Sequence, residues 1–213
     1  MVAKVQEIVN LPFQSYLKPK IFARELLLET PGFATEDASD IAATLSGDGE
    51  AYRRLVLRYQ GIISQQMSRF SRDASVREEL VHDIFVEAYM SLRSYRGTAP
   101  WLHWLRKVAV RVGYRYWRSR KSLVNEITLP ENAWEHLRGT IPNPVESIAA
   151  PEMVYTLLAL LTPPDRLVLT LLYVDGCTMA EAADLAGWTL IGAKVRAYRA
   201  RNRLKKLIAK GAS

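Results

Sequence analysis

Wherever this chain is strongly patterned, its apolar residues recur every three or four positions. Between 48 and 70 they are Tyr52, Leu55, Val56, Tyr59, Ile62, Ile63, Met67 and Phe70. Between 76 and 92 they are Val76, Leu80, Val81, Ile84, Phe85, Ala88 and Leu92. That spacing puts each set on one stripe of an α-helix. A third helix is expected over 101–120, with Pro100 suited to its first turn. The sequence therefore predicts an all-α fold. Ser75 followed by Glu78 has the spacing of a capping box for the second helix.

Two proline-containing stretches interrupt the pattern. Residues 1–46 form a weakly patterned leader, with a short helix expected near 20–29. Residues 122–150 hold Pro130, Pro142 and Pro144 and read as an extended linker. Beyond it the chain is helical again, with pieces expected at 152–161, 167–174, 179–186 and 190–209. Thr162-Pro163-Pro164-Asp165 is a helix start, with proline in the first turn and a carboxylate near the positive helix end. Thr178 and Glu181 are spaced as a capping box, Gly187 marks a tight turn, and Thr189 is placed to cap the last helix. Two helices joined by a short glycine turn, the second loaded with cations, make the helix-turn-helix pattern. Val195, Tyr198 and Leu204 are the residues of that last helix expected to pack inward. The result is two small helical domains, 47–121 and 151–213, joined by the linker.

Charge is unevenly spread along this frame. The 213 residues carry a net +7, but 88–125 holds nine basic residues and no acidic one. Residues 185–213 hold eight basic residues and again no acidic one, so the rest of the chain sums to −10. Two acid-free basic blocks in an otherwise acidic chain point to a polyanion met at two places. The first block also holds seven of the chain's twenty aromatic residues. On the third helix, Trp101, Leu105, Val108, Val112 and Tyr116 are spaced to face a core. Trp104, Lys107, Arg111, Arg115 and Arg118 repeat the spacing on another face. A charge run is usually a solvated surface. Here the absence of acids and the density of aromatics favour nucleic acid, since bases stack on aromatic rings and phosphates pair with Arg and Lys. In the second block, the first turns of the last helix (Thr189, Ile191, Gly192, Lys194, Val195, Arg196, then Arg199) are placed to meet a duplex groove. Cations further along more often touch phosphates.

Other chemistry finds no support. The lone cysteine, Cys177, has no internal disulfide partner and reads as a half-buried residue at a turn. His82, His103 and His136 are scattered without metal-ligand spacing. No phosphate-cradling glycine loop, calcium loop or nucleophile elbow occurs. The most apolar stretch, 157–174, is broken by Pro163-Pro164-Asp165-Arg166 and is too interrupted to cross a membrane. No long apolar core of a signal peptide opens the sequence. We therefore expect a cytoplasmic protein without catalytic residues, metal, cofactor, small-molecule substrate or membrane insertion.

Three segments carry a family resemblance. Gly47-Asp48-Gly49-Glu50-Ala51-Tyr52 is followed by Leu57-Arg58-Tyr59. Glu79-Leu80-Val81-His82-Asp83-Ile84-Phe85-Val86-Glu87-Ala88-Tyr89 resembles Asp-Leu-Val-Gln-Glu-Val-Phe-x-x-Ala-Trp. Tyr95-Arg96-Gly97-Thr98-Ala99-Pro100-Trp101-Leu102-His103-Trp104-Leu105 resembles Phe-Arg-Gly-x-x-x-Phe-x-x-Trp-Leu. With the stretch from Asp175-Gly176 to Leu204, these resemble regions two and four of bacterial RNA polymerase sigma factors of the extracytoplasmic-function class. The resemblance spans about 45–120 and 150–210.

It implies roles that the residues alone do not. Glu79, His82, Asp83 and Phe85 would dock on core RNA polymerase, with His82 standing where the family has Gln. The loop with Tyr95, Arg96, Gly97 and Thr98 would hold a flipped promoter base. Trp101, Trp104, Lys107, Arg111, Arg115 and Arg118 would hold the opened strand of the minus-ten region. The last helix would read the minus-thirty-five element of promoter DNA, and an anti-sigma regulator would be a further partner. Gly192 and Val195 depart from the family's Thr and Ser or Thr. The first 45 residues lie outside the resemblance and fit a disordered arm, a docking segment for a regulator, or packing against region two. The alternative is a stand-alone helix-turn-helix transcriptional regulator, which would not need a basic-aromatic surface at 93–118.

Overall fold

The computed structural model describes residues 33–124 and 149–211, and every regular element among them is helical. In order these are α1 (Phe33–Leu45), α2 (Gly49–Met67), α3 (Ala74–Met90), a 3-10 turn at Leu92–Ser94, and α4 (Trp101–Val124). Then come α5 (Ala149–Ala159), α6 (Pro163–Leu169) with a π-helical turn at Thr170–Val174, α7 (Met179–Ala186) and α8 (Leu190–Gly211). Contacts divide the chain into two compact units, one centred on α1 to α4 and the other on α5, α6 and α8. The expected helix near 20–29 and most of the expected linker lie outside the described residues.

In the first unit α2 starts at Asp48, whose carboxylate accepts from the amides of Glu50 and Ala51 at 2.9 and 3.2 Å. It buries Leu55, Tyr59, Ile63 and Met67 on the expected stripe. The start of α3 corrects the sequence reading. Asp73, not Ser75, is the cap, because its carboxylate accepts from the amides of Ser75 and Val76. Ser75 already sits in the first turn. Trp101, Leu105, Val108 and Val112 of α4 are buried as expected, but so is Trp117, which the stripe did not include. The Trp117 ring lies 4.4 Å from that of Phe70, and its Nε1 donates to the Phe70 carbonyl at 3.0 Å. Gly113 lets α4 come this close: a Cβ there would lie 2.5 Å from the Phe70 ring.

Helix α1 was not expected. It falls inside the leader and packs on α2, so the first unit begins before residue 47. Its inner face sets two acids beside Ile41 and Thr44. Asp37 and Asp40 are buried. Asp37 accepts from Arg58 and from the Tyr59 hydroxyl, and Asp40 accepts from Arg54 Nε at 2.8 Å and Arg58 Nη2 at 3.1 Å. Residues 33–45 of the leader thus pack against α2.

In the second unit, Leu158, Leu161, Val168 and Leu169 form a core closed by Ala197 and Ala200 of α8. Thr178 and Glu181 make the expected reciprocal cap of α7, at 2.7 and 3.2 Å. Gly187, at φ +68°, turns the chain, and the Trp188 amide returns to the Ala183 carbonyl at 2.8 Å. Thr189 caps α8 by accepting from the Gly192 amide at 3.1 Å. The inward face of α8 is corrected: Ala193, Ala197 and Ala200 are fully buried, whereas Val195 is 43% and Tyr198 62% exposed. Three alanines at helical spacing let α8 lie against its core without long side chains. Only Leu204 of the expected trio packs on that core, and it is partly buried. Cys177 is buried rather than half-buried.

Candidate polymerase- and promoter-binding surfaces

Three surfaces hold the residues singled out in the sequence. The first is the outer face of α3. Glu79, His82 and Asp83 are exposed, three and four residues apart, and so share a face. Phe85 does not join them. It is 6% exposed and belongs to the core, and its carbonyl accepts from the Tyr52 hydroxyl. Exposed Val86 and Met90 continue that face along α3, and exposed Tyr89 packs its ring against Tyr52 at 4.9 Å. Sequence reasoning missed them, although Val86, Tyr89 and Met90 stand outside the buried stripe of α3, which is the signal that could have found them.

The second surface runs from the loop after α3 onto α4. Gly97 adopts φ +69°, a left-handed conformation that side chains disfavour, with open space around it. Arg96, Gly97 and Thr98 are exposed. Tyr95 is half-buried and donates its hydroxyl to the Ala99 carbonyl at 2.7 Å, which closes the loop. Its ring meets Trp101 and Trp104 edge-on at 5.4 and 5.6 Å, and those two indoles stack at 4.9 Å. Trp101 is only 2% exposed, so it supports the other two rings and cannot itself meet a base. Trp104 is half-buried, so part of it stays open to solvent.

The cations of this surface are partly tied down. Glu87 accepts from Arg111 Nε at 2.6 Å through one oxygen and from Arg115 through the other. Burial alone would raise the Glu87 pKa, but the hydrogen bonds from Arg115 and Arg111 and their charges outweigh it and hold the carboxyl below its usual range. Glu87 thereby ties α3 to α4. Arg118 lies against the ring of Tyr114 at 5.9 Å, and Arg111, Arg115 and Arg118 all remain exposed.

The third surface is α8. Lys194, Arg199, Lys205 and Lys206 are exposed and make no ion pair among the described residues. Other cations of the helix are held internally. Arg201 donates to the Tyr173 hydroxyl at 3.0 Å, and Arg203 pairs with buried Asp165, which also accepts from Thr162 at 2.9 Å. Arg196 is half-buried with its guanidinium 4.5 Å from the Trp188 ring centre. That contact takes it away from the exposed row of Lys194 and Arg199. The oxygen of Thr189 is engaged in the cap, and a Cβ at Gly192 would lie 3.0 Å from it. Glycine there keeps the cap uncrowded. Ile191 is 76% exposed at the helix start.

Among the described residues no His, Cys, Asp and Glu group could hold a metal ion, and no helix is long and apolar enough to cross a membrane.

Comparison with known proteins agrees with this arrangement. Residues 55–123 match the family model for sigma-70 region 2, and residues 152–204 match that for sigma-70 region 4. Together they cover more than half of the chain, in the order the sequence reading expected. The RNA polymerase sigma-H factor of Pseudomonas aeruginosa is 24% identical over 181 residues, 81% of this chain and 94% of that protein. The ECF RNA polymerase sigma-E factor of Escherichia coli K12 is 28% identical over 174 residues, 76% of this chain and 91% of that protein. The structure of CnrH in complex with the cytosolic domain of CnrY superposes with a TM-score of 0.51 at 22% identity. It covers 82% of this chain and 98% of that one, and shares the fold. A match to region 2 has no place in a stand-alone helix-turn-helix regulator. The family is one of non-catalytic transcription initiation factors. With both regions present in order, on helices that present an outer α3 face, a basic-aromatic α4 and a cationic α8, the chain belongs to the sigma-70 family, in its extracytoplasmic-function class.

Proposed function

We propose that the chain binds core RNA polymerase and directs promoter recognition, strand opening and transcription initiation, with a division of labour among the three surfaces. The observation that carries this reading is the joint presence of regions 2 and 4, each with its own cationic helix. Polymerase meets α3 through Glu79, His82 and Asp83, with Val86 and Met90 adding apolar contact. Phe85 acts from the core. The opened minus-ten strand meets Arg96, Gly97, Thr98, Tyr95, Trp104 and Lys107, with Arg111, Arg115 and Arg118 along its backbone and Trp101 beneath. The minus-thirty-five duplex meets the start of α8. On this reading region 2 spans about 33–121, region 4 spans 151–213, and the protein performs no bond chemistry and works in the cytoplasm. An anti-sigma protein is a further partner. CnrH, which shares the fold, was solved with the cytosolic domain of CnrY.

The test is transcription with purified core polymerase on a genomic promoter library. Core-dependent starts at specific sites support the reading. Tight duplex binding without polymerase, and no starts, overturns it.

A further inference from the structure

We infer that Ile191 and Val195 read thymine methyl groups in the major groove of the upstream promoter duplex. The inference deepens the assignment of α8 as the duplex-reading helix and rests on it.

The two side chains lie four residues apart on the exposed side of α8, with Lys194 between them. Packing does not explain them, because Ala193, Ala197 and Ala200 supply the buried side of the helix. An aliphatic pair standing in water at the start of an otherwise cationic helix loses stability unless something covers it. The Thr189 oxygen caps the helix, Gly192 has no side chain, and the Arg196 guanidinium lies against Trp188. Beside the exposed Lys194 and Tyr198, the helix start therefore offers the carbon of Ile191 and Val195 to the floor of the groove. Of the groups that base pairs present there, the thymine C5-methyl is the apolar one. Any other base edge placed against Ile191 or Val195 would bury a donor or acceptor without a partner.

The charge around the pair selects the occupant. Lys194, Arg199, Lys205 and Lys206 are exposed without ion pairs, and residues 185–213 hold no acid. A polyanion therefore covers this side. Four residues of helix advance about 6 Å, close to two base-pair steps of about 3.4 Å each. The thymines read by the pair lie within about two steps of one another.

The test uses the full chain assembled with core polymerase. Upstream elements are selected from a randomised duplex library. Each thymine of the selected element is then replaced by deoxyuridine, which removes only the methyl, and binding is measured. One covered methyl is worth about a fourfold change in affinity. At one or two thymines the exchange should weaken binding about fourfold with the parent protein. With Ile191→Ala or Val195→Ala the same exchange should have no effect. Both positions are exposed, so the variants keep the fold, and circular dichroism verifies this. A selected element in which no thymine responds overturns the inference and leaves the promoter reading intact, with the apolar pair then assigned to a protein cover. Failure to select any element overturns both.

Discussion

Replacing Glu87 with Gln would separate two roles that this carboxylate combines. It joins α3 to α4, and it neutralises part of the surface assigned to the opened strand. Glu87 is three-quarters buried, but Arg111 and Arg115 are more than half exposed, so solvent screens the pairs. Each is then worth about 0.5 kcal/mol, and the pair about 1 kcal/mol. That lowers the melting temperature of the first unit by roughly 4–8 °C. The effect on DNA runs the other way. The substitution raises the charge of the α4 face by one and frees two guanidiniums. Each additional phosphate contact to a single strand steepens the dependence of log Kobs on log[salt] by about 0.7. Between 50 and 200 mM salt this amounts to about a threefold change per contact. The assay is anisotropy of a labelled non-template-strand oligonucleotide bound to the polymerase assembly across that salt range. The expected result is a slope steeper by about 0.7 to 1.4, with tighter binding at low salt. An unchanged slope, alongside the lowered melting temperature, would show that Arg111 and Arg115 do not meet the strand. The pH dependence has a fixed sign. The folded-state pKa of Glu87 is depressed, so its contribution is present above the ordinary carboxylate range. It is lost as pH falls through the folded value.

Gly113→Ala should destabilise the first unit by about 1–3 kcal/mol, because its Cβ would enter the Phe70 ring. Thermal melting followed by tryptophan fluorescence measures this, and an unchanged melt would contradict the close approach. Asp37→Asn leaves either Arg58 or the Tyr59 hydroxyl without its carboxylate oxygen. A cost of about 1–3 kcal/mol should appear as faster hydrogen exchange in α1. Unaltered exchange would mean that the charged face does not hold α1. Replacing Trp104 and Lys107 with Ala should impair promoter opening, read by permanganate footprinting, more than core binding, read by competition with a reference sigma factor. Equal loss of both would argue for simple unfolding.

Sequence periodicity located α2, α3 and α4 to within a few residues, because each buries a broad apolar stripe and such stripes are visible in one dimension. The helix-turn-helix was legible for the same reason, helped by the local hydrogen bonds of Thr178, Glu181 and Thr189. Helix α1 was not legible. Its buried face holds Ile41 as its one large apolar residue among the described side chains, with Asp37 and Asp40 paired to Arg54, Arg58 and Tyr59, and a face so rich in acids looks like surface in a sequence.

The sequence by itself determined the all-helical class, the two cationic blocks and their separation, since these depend on residue spacing and count. What only tertiary structure decided is which side chains of each block face outward. Trp101 and Phe85 went into the core. Arg111 and Arg115 met Glu87, Arg196 met Trp188, and alanines displaced Val195 and Tyr198 from the inner side of α8. Each outcome turns on the rotation of a helix against its neighbour. Side chains about 100° apart compete for the same buried stripe, and the partner's surface decides among them.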